Sequence, residues 1–324
     1  RLAVMADDGE KFGVWPETYR TVYEQGWLDR FLTLLEENRD WLESTTFSAY
    51  LAKEPPRGRI YLPTASYMEM GEWTLPTGVM EDYCDTLSIV KDRPDCSKIR
   101  PFIKGGIWRN FLAKYPESDH MHKRMLMVSR KVHEALNGAA KLTQDQIRMQ
   151  DHLYQSQCND AYWHGVFGGL YLPHLRSAVY EHIIAAETMA DAVLMGGGRG
   201  REARKKERTA RTSWLGIERG DFDRDGCEEL MVNSELLNVF VDPAEGGRIT
   251  EIDWKPLSFN LTNTLTRRRE GYHKKIAHAG TETGEAKTIH DRVVVKEEGL
   301  QHHLQYDWYA RASLLDHFLE TGVD

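Results

Sequence analysis

The pattern of apolar and polar positions changes along the chain, and its first stretch predicts a buried strand. Residues 1–6 are mostly apolar and lead directly into an Asp-Asp-Gly-Glu sequence at 7–10. Such a run predicts a parallel strand that delivers carboxylates at its C-terminal end, where β/α barrels build their active sites. Because the sequence opens on this strand without an initiating methionine or signal peptide, we expect a fragment whose upstream strands are missing.

A helix and a second strand are predicted next. Proline and glutamate at 16–17 predict a helix start, because proline in the first turn loses no needed donor and an acid there complements the helix dipole. Apolar side chains then recur at helical spacing at Tyr19, Val22, Tyr23, Trp27, Leu28, Phe31, Leu32 and Leu35. Prolines and a glycine at 54–58 interrupt the chain, and 59–63 predicts a strand.

From about 77 to 192 the apolar positions follow helical spacing almost throughout, which predicts a helical bundle. Two of the apolar faces consist of Phe111, Met125, Met127, Val128 and Val132, and of Leu175, Val179, Ile183, Ile184 and Met189. Glycine-rich interruptions at 104–108 and 165–169 predict turns where the chain closely approaches another group. The glycine- and arginine-rich stretch 193–211 is interpreted as a solvated linker.

Beyond residue 212, short alternating runs predict the antiparallel strands of a β-sandwich. These runs are 229–233, 237–241, 248–252 and 292–296, and Gly, Asp, Asn and Pro separate them. The whole pattern predicts a multidomain chain that is α/β in its first part and all-β in its last.

Composition and charge mainly exclude classes of protein. Hydrophobic residues make up 41% of the chain, but no apolar run approaches the roughly 20 residues needed to cross a bilayer, so we set membrane insertion aside. A formal net charge of -8 disfavours general nucleic-acid binding, which requires clustered Lys and Arg. The four cysteines form no CxxC pair, which favours neither disulfides nor zinc and suits a cytoplasmic location.

Five longer motifs resemble those of one family. They are 7–16 (DDGEKFGVWP), 61–73 (YLPTASYMEMGEW), 114–125 (KYPESDHMHKRM), 158–176 (CNDAYWHGVFGGLYLPHLR) and 306–318 (YDWYARASLLDHF). In order and wording they resemble glycoside hydrolase family 57, in the branch of 4-α-glucanotransferases and α-amylases, over nearly the whole chain. The resemblance implies that 1–76 is the C-terminal part of a seven-stranded catalytic (β/α) barrel and that 77–192 is a helical bundle completing the active site. After the linker 193–211, it implies that 212–324 is an incomplete β-sandwich.

Retaining cleavage of a glycosidic bond requires two carboxyl groups roughly 5 Å apart, one as nucleophile and one as acid/base. The resemblance gives the acid/base role to Asp8, with Asp7 as the rival and a plain strand-ending turn as the alternative. It also implies that the nucleophile is a glutamate on an earlier barrel strand, upstream of this segment, and none of Glu17, Glu69 or Glu72 matches that motif. We therefore expect this chain alone to lack half of the catalytic pair.

Several residues are candidates for substrate binding. The resemblance implies that Asp160 holds sugar hydroxyls and that Trp163 stacks on a glucose ring, which suits a carboxylate acceptor and an aromatic face. Core packing is the alternative for Trp163. The resemblance makes Glu10 a substrate-binding or acid-orienting residue, and alternation along an extended strand would point it to the same cleft as Asp8; the alternative is an acid at a helix start. His164 either donates to substrate or packs in the bundle. Further cleft candidates are Trp15, Glu72 and Trp73.

An acidic run near 221–229 is a candidate metal loop. Asp221, Asp223 and Asp225 place oxygen donors at alternate positions around a glycine turn, as calcium loops do. Val232 stands where an EF-hand has its twelfth-position glutamate. A short structural Ca²⁺ site and a solvated acidic turn are the two interpretations, and no cofactor is expected for catalysis.

The resemblance favours a 4-α-glucanotransferase that acts on α-1,4-glucans or maltooligosaccharides by retaining double displacement. An α-amylase, in which water attacks the intermediate, is the alternative within the class. A non-catalytic glucan-binding protein is the alternative from another class. We expect neither a nucleic-acid nor a membrane partner, and a homodimer is a further candidate assembly.

Overall fold

The computed structural model describes residues 2–139, 141–165, 168–196, 214–276, 299–318 and 320–321. The chain divides into two compact units. One consists of Arg1–Ala65 with Tyr272–Leu304, and the other of Ser66–Gly271 with Gln305–Asp324. Within the described residues, no helix is both long enough and apolar enough to cross a bilayer.

Short helices make up the regular structure of the first unit. After a segment without regular structure, the chain forms a 3-10 turn at Gly9–Phe12, a π-helical turn at Arg20–Glu24, α1 at Trp27–Glu37 and α2 at Phe47–Lys53. The helix predicted to begin at Pro16 is interrupted, because Glu17 and Gly26 have φ angles of 60° and 67°. Such left-handed backbone does not continue a right-handed helix.

The prediction of two strands in this unit, at 1–6 and 59–63, is wrong for the described residues. The described residues there have no regular secondary structure and belong to no β-ladder. A strand exists through hydrogen bonds to a neighbouring strand, and the described part of this unit contains none to pair with. The apolar side chains are consequently exposed, with Tyr61 at 100%. The seven-stranded barrel therefore stays a prediction.

The helical character predicted for the next part of the chain is confirmed. The helices are α3 Met68–Trp73, α4 Thr77–Lys91, α5 Cys96–Ile99, α6 Trp108–Lys114, α7 Pro116–Leu136, α8 Gln144–Gln155 and α9 Pro173–Gly196. The long helices α7, α8 and α9 pack on one another around a core that includes Met121, Val128, Met149, Leu153 and Ile183. A capping box starts α8, in which the Thr143 hydroxyl accepts from the Gln146 backbone and the Gln146 side chain accepts from Thr143.

The glycine-rich turns approach their neighbours closely, as predicted. The Gly106 N–H donates to the Gly71 carbonyl at 2.8 Å, and a Cβ on Gly105 would lie 2.4 Å from that carbonyl oxygen. In the second turn, Gly169 has a φ of 43°, and a Cβ there would lie 2.0 Å from the Trp163 carbonyl oxygen. Only glycine accommodates both the close approach and the left-handed backbone.

The end of the second unit forms an antiparallel sheet. Its strands follow chain order and are β1 Leu215–Gly220, β2 Glu229–Ser234, β3 Leu237–Asp242, β4 Arg248–Trp254 and β5 Phe259–Asn260. The three predicted strands at 229–233, 237–241 and 248–252 are confirmed. The strand at 292–296 and most of the linker at 193–211 lie outside the described residues, and 193–196 complete α9. Because the described strands make one sheet, the second layer of a sandwich stays a prediction.

A buried ionic cluster joins the helices to this sheet. Arg124 of α7 is fully buried and donates from Nε to Glu251 of β4 at 2.6 Å. Its Nη2 donates to Glu187 of α9 at 2.8 Å and to Asp253 of β4 at 3.1 Å. Lys131 of α7 bonds the other oxygen of Glu187 at 2.7 Å. The cluster therefore ties α7, α9 and β4 together in a region closed to water.

Replacement of Arg124 by methionine tests how much this cluster contributes to the free energy of unfolding. Arg124→Met removes the guanidinium that Glu251, Glu187 and Asp253 share, and loss of one partner of a buried ion pair typically costs ~3–5 kcal/mol of unfolding free energy. We expect a large fall in the denaturant midpoint. Arg130→Met changes an exposed arginine of the same helix and should shift the free energy by less than ~0.5 kcal/mol. Equal midpoints for the two variants would contradict the role of the cluster.

Candidate functional site

The two aspartates of the acidic turn near the N-terminus differ in their contacts. Asp7 accepts from Lys11 Nζ at 2.5 Å and from the Asp8 backbone N–H at 2.9 Å. The bond from Lys11 lowers the pKa of Asp7 below its usual range. Asp8 lies 3.6 Å from the same ammonium and its side chain is 57% exposed. The Asp8 carboxylate is thus the less engaged of the two and the more accessible to a ligand.

The extended geometry that would carry Glu10 to the same side as Asp8 ends at Asp8. Glu10 lies in the 3-10 turn, so strand alternation does not place its side chain. Its carbonyl instead accepts from the backbone N–H groups of Val14 and Trp15 at 2.9 and 3.0 Å. Trp15 is half-buried beneath Lys11, whose ammonium lies 5.1 Å from the ring centroid. These residues therefore form a local folded turn of the first unit.

Asp160 and Trp163 occupy a turn of the second unit, between α8 and α9. Asp160 is exposed, and one of its carboxylate oxygens accepts from the Cys158 thiol at 3.2 Å. Trp163 is half-buried, with a centroid 5.5 Å from that of Trp73 and 6.0 Å from that of Tyr67. We call Tyr67, Trp73 and Trp163 the aromatic surface. It offers partly exposed ring faces near an accessible carboxylate, an arrangement suited to the apolar face and hydroxyls of a sugar.

His164 lies beneath the aromatic surface. Its ring is 3% exposed and stacks on Trp73 with centroids 6.0 Å apart and an interplanar angle of 27°. Its Nε2 lies 2.5 Å from the Tyr115 hydroxyl. Burial lowers the pKa of His164 to about 4, so the ring is neutral at pH 7. Of the two sequence interpretations, the geometry corresponds to a packed histidine that supports Trp73 and is enclosed by protein.

Glu270 lies at the end of this hydrogen-bond chain and was missed in the sequence. It is 1% exposed and accepts from the hydroxyls of Tyr115, at 2.6 Å, and of Tyr171. Lys114 Nζ donates to its other oxygen at 3.2 Å and to the Trp73 carbonyl at 3.1 Å. Burial opposes its ionisation, but Lys114 and the two hydroxyls lower the pKa of Glu270 overall. No periodic pattern marks it, because its partners lie up to 156 residues away.

The acidic loop between β1 and β2 brings its three aspartates together. Ligand atoms of Asp221, Asp223 and Asp225 all lie within 4.8 Å of one another. The Asp221 Oδ1 atom is buried without a hydrogen-bond partner. Burial, and then the charge of Asp225, raise the pKa of Asp223. Crowded carboxylates with one orphaned oxygen fit a hard divalent cation such as Ca²⁺, which takes oxygen ligands and would relieve their repulsion.

Comparison with known proteins places the chain in a family. The profile of glycosyl hydrolase family 57 matches residues 1–63. Profiles of the middle and C-terminal domains of alpha-amylase/4-alpha-glucanotransferase match 106–190 and 221–324. The chain belongs to glycosyl hydrolase family 57. The resemblance of the five sequence motifs is thereby confirmed.

Relatives within family 57 cover the chain almost completely. Alpha-amylase 1 of Dictyoglomus thermophilum is 43% identical over 99% of this chain and 43% of its own length. The 4-alpha-glucanotransferase of Thermococcus litoralis is 40% identical over 99% of this chain and 44% of its own. Its crystal structure superposes with a TM-score of 0.68, at 39% identity, over 99% of this chain and 42% of that one. The chain thus spans less than half the length of these relatives.

The candidate residues belong to two different units of the chain. Asp8, Glu10 and Trp15 belong to the first unit, whereas Asp160, Trp163 and His164 belong to the second. Within the second unit, the turn around Trp163 and the α3 residue Trp73 meet directly. Glu72, the neighbouring cleft candidate, is half-buried on α3. The aromatic surface is accordingly the part of the candidate site whose geometry is defined in most detail.

Proposed function

We propose that the protein is a 4-α-glucanotransferase that acts on α-1,4-glucans with retention of configuration. The observation that carries the proposal is the aromatic surface with the accessible Asp160 beside it. Sugar rings present an apolar C–H face that packs on aromatic rings and hydroxyls that donate to carboxylates. Trp163 then holds one glucose unit and Asp160 its hydroxyls. The 4-alpha-glucanotransferase of Thermococcus litoralis, similar over 99% of the chain, supports the same function.

In the proposed reaction Asp8 is the acid/base. It gives a proton to the leaving glycosidic oxygen while a carboxylate nucleophile attacks the anomeric carbon, and it then takes a proton from the incoming sugar hydroxyl. No glutamate of this chain matches the family's nucleophile motif, so we assign that residue to a part of the protein outside this sequence. The exposure of Asp8, with Asp7 engaged by Lys11, supports this division of roles.

An α-amylase is the second candidate, because Alpha-amylase 1 of Dictyoglomus thermophilum is 43% identical over 99% of the chain. In that reaction water takes the place of the acceptor hydroxyl. Products from maltoheptaose separate the two functions. A transferase yields both shorter and longer maltooligosaccharides without new reducing ends, whereas an amylase yields only shorter ones with new reducing ends. The absence of any turnover by the full-length protein would favour the non-catalytic glucan-binding alternative.

The Asp8 assignment is tested in the full-length protein. Asp8→Asn should lower kcat on maltoheptaose by about 10²–10⁴-fold, the usual contribution of a positioned general acid. Asp7→Asn should be milder, because Asp7 is tied to Lys11. A glucosyl donor with a good leaving group should restore the first step in Asp8→Asn, since it needs no proton. A larger loss in Asp7→Asn would contradict the assignment.

The aromatic surface is tested by binding. Trp163→Ala should weaken binding of maltoheptaose about tenfold or more, and Asp160→Asn should weaken it with little change in melting temperature, because Asp160 is exposed. Isothermal titration calorimetry measures the first effect and thermal melts the second. If Trp163 were only a core residue, Trp163→Ala would cost ~3–5 kcal/mol of stability and leave the affinity of the folded fraction unchanged.

We also propose a structural Ca²⁺ at Asp221, Asp223 and Asp225. Ca²⁺ binding to the folded loop should raise the melting temperature, and a chelator should lower it reversibly, since a ligand that binds only the folded state stabilises it. Asp223→Asn should abolish the response while Asp145→Asn, an exposed acid on α8, should retain it. A melting temperature indifferent to both Ca²⁺ and chelator would leave the solvated acidic turn as the correct interpretation.

A further inference from the structure

The direction of the hydrogen bonds beneath the aromatic surface follows from the number of protons available. Tyr115 has one hydroxyl proton, and it goes to Glu270 at 2.6 Å. Its oxygen therefore accepts from His164 Nε2, which lies 2.5 Å away and carries the proton of the neutral ring. The chain runs from His164 through Tyr115 to Glu270. An ionised carboxylate can only accept hydrogen bonds. Glu270 is therefore the final acceptor and determines the direction of the hydrogen bonds.

Two routes lead from Glu270 to Trp73. One passes through Tyr115 to His164, whose ring stacks on the Trp73 ring. The other passes through Lys114, which bonds both Glu270 and the Trp73 carbonyl. The first route contacts the Trp73 side chain and the second contacts its backbone. Glu270 is thus linked to the ring and to the main chain of the same residue.

The turn that contains Gly165 and Trp163 also restricts the position of the Trp73 ring. A Cβ on Gly165 would lie 2.4 Å from the Trp73 ring, so the turn that carries Trp163 packs directly on it. Trp163 in turn contacts Trp73 with centroids 5.5 Å apart and an interplanar angle of 31°. A shift of Trp73 therefore changes the relative orientation of both rings. Ring orientation determines how well an aromatic pair fits a sugar face.

We propose that Glu270 is a positioning residue that sets the orientation of Trp73 and Trp163 for glucan binding. It lies after β5, in the segment that follows the sheet, so this C-terminal segment controls the sugar-binding turn of the helical part. Glu270 is buried, and within the described residues it reaches Trp73 through Tyr115 and Lys114 and also accepts from Tyr171. The glucan-binding part of the inference rests on the proposed function, whereas the ring orientation does not.

The experiment compares two buried tyrosines in the 324-residue chain. Tyr115→Phe removes the hydroxyl that links His164 to Glu270. Tyr162→Phe is the matched control, because the Tyr162 hydroxyl is also buried but donates to the Ser156 carbonyl at 2.6 Å. Glu270→Gln keeps an acceptor oxygen, and Glu270→Ala removes it. The readouts are the Kd for maltoheptaose and the exciton signal of the coupled tryptophan pair in circular dichroism, assigned by its loss in Trp73→Phe.

Tyr115→Phe should weaken maltoheptaose binding roughly three- to tenfold, the range for one hydrogen bond, and should reduce the exciton signal. Glu270→Ala should exceed both effects, and Glu270→Gln should restore part of them. Tyr162→Phe should lose a comparable amount of stability with Kd and signal unchanged. The proposal is overturned if Tyr115→Phe and Glu270→Ala have the same exciton signal and the same Kd as the Tyr162→Phe control.

The two proposals fail in different ways. If the unsubstituted chain does not bind maltoheptaose, the sugar-binding role of the aromatic surface fails, and the exciton signal still decides the role of Glu270. If Glu270→Ala does not fold, Glu270→Gln and Tyr171→Phe test the same role. Tyr171 also donates to Glu270, and its replacement by phenylalanine leaves Tyr115 in place. An unchanged exciton signal in both of these variants overturns the positioning role.

Discussion

The burial of Arg124 is the constraint on which the second unit depends. A guanidinium without solvent is tolerated only with carboxylates around it, and the partners come from α9 and β4. The requirement therefore fixes the position of the sheet on the helices. β4 leads through β5 to the segment that carries Glu270, so the same constraint brings Glu270 beneath the aromatic surface. Stability and the candidate site are thus connected through one strand.

Two neighbouring carboxylates of the cluster respond differently to burial. Burial, and then the neighbouring Glu251, raise the pKa of Asp253 well above its usual range. Burial opposes ionisation of Glu251 as well, but Arg124 and His120 bring its pKa down to about 2. The repulsion between Glu251 and Asp253 therefore favours the protonated form of Asp253, while Arg124 favours ionised Glu251. Arg124 and Lys131 pair with the buried carboxylates Glu187 and Glu251, and a paired buried charge is less costly than an isolated one.

Local patterns in the sequence predict the helices and the antiparallel strands, because periodicity is a property of neighbouring residues. They do not predict the burial of Arg124 or the role of Glu270, whose partners lie 63 to 156 residues away. The strand predicted at 59–63 is wrong for a related reason. An apolar run is necessary for a buried strand, but a ladder also requires a partner, and the described part of that unit provides none.

The sequence predicts those parts of the candidate site that lie within one continuous motif, and it does not predict contacts between distant parts of the chain. The motif around Trp163 and Asp160 predicts a sugar-binding turn, and the sequence separately offers Trp73 as a cleft candidate, but only the structure brings Trp73 and Tyr67 against Trp163. Of the two interpretations that the sequence left open for His164, its burial and its contact with Trp73 favour packing. With its pKa at about 4, His164 places a neutral ring under Trp73 at pH 7. For the proposed binding of an uncharged sugar, a neutral support is favourable, because a cation directly beneath the rings would compete for the π-electrons that the sugar contacts.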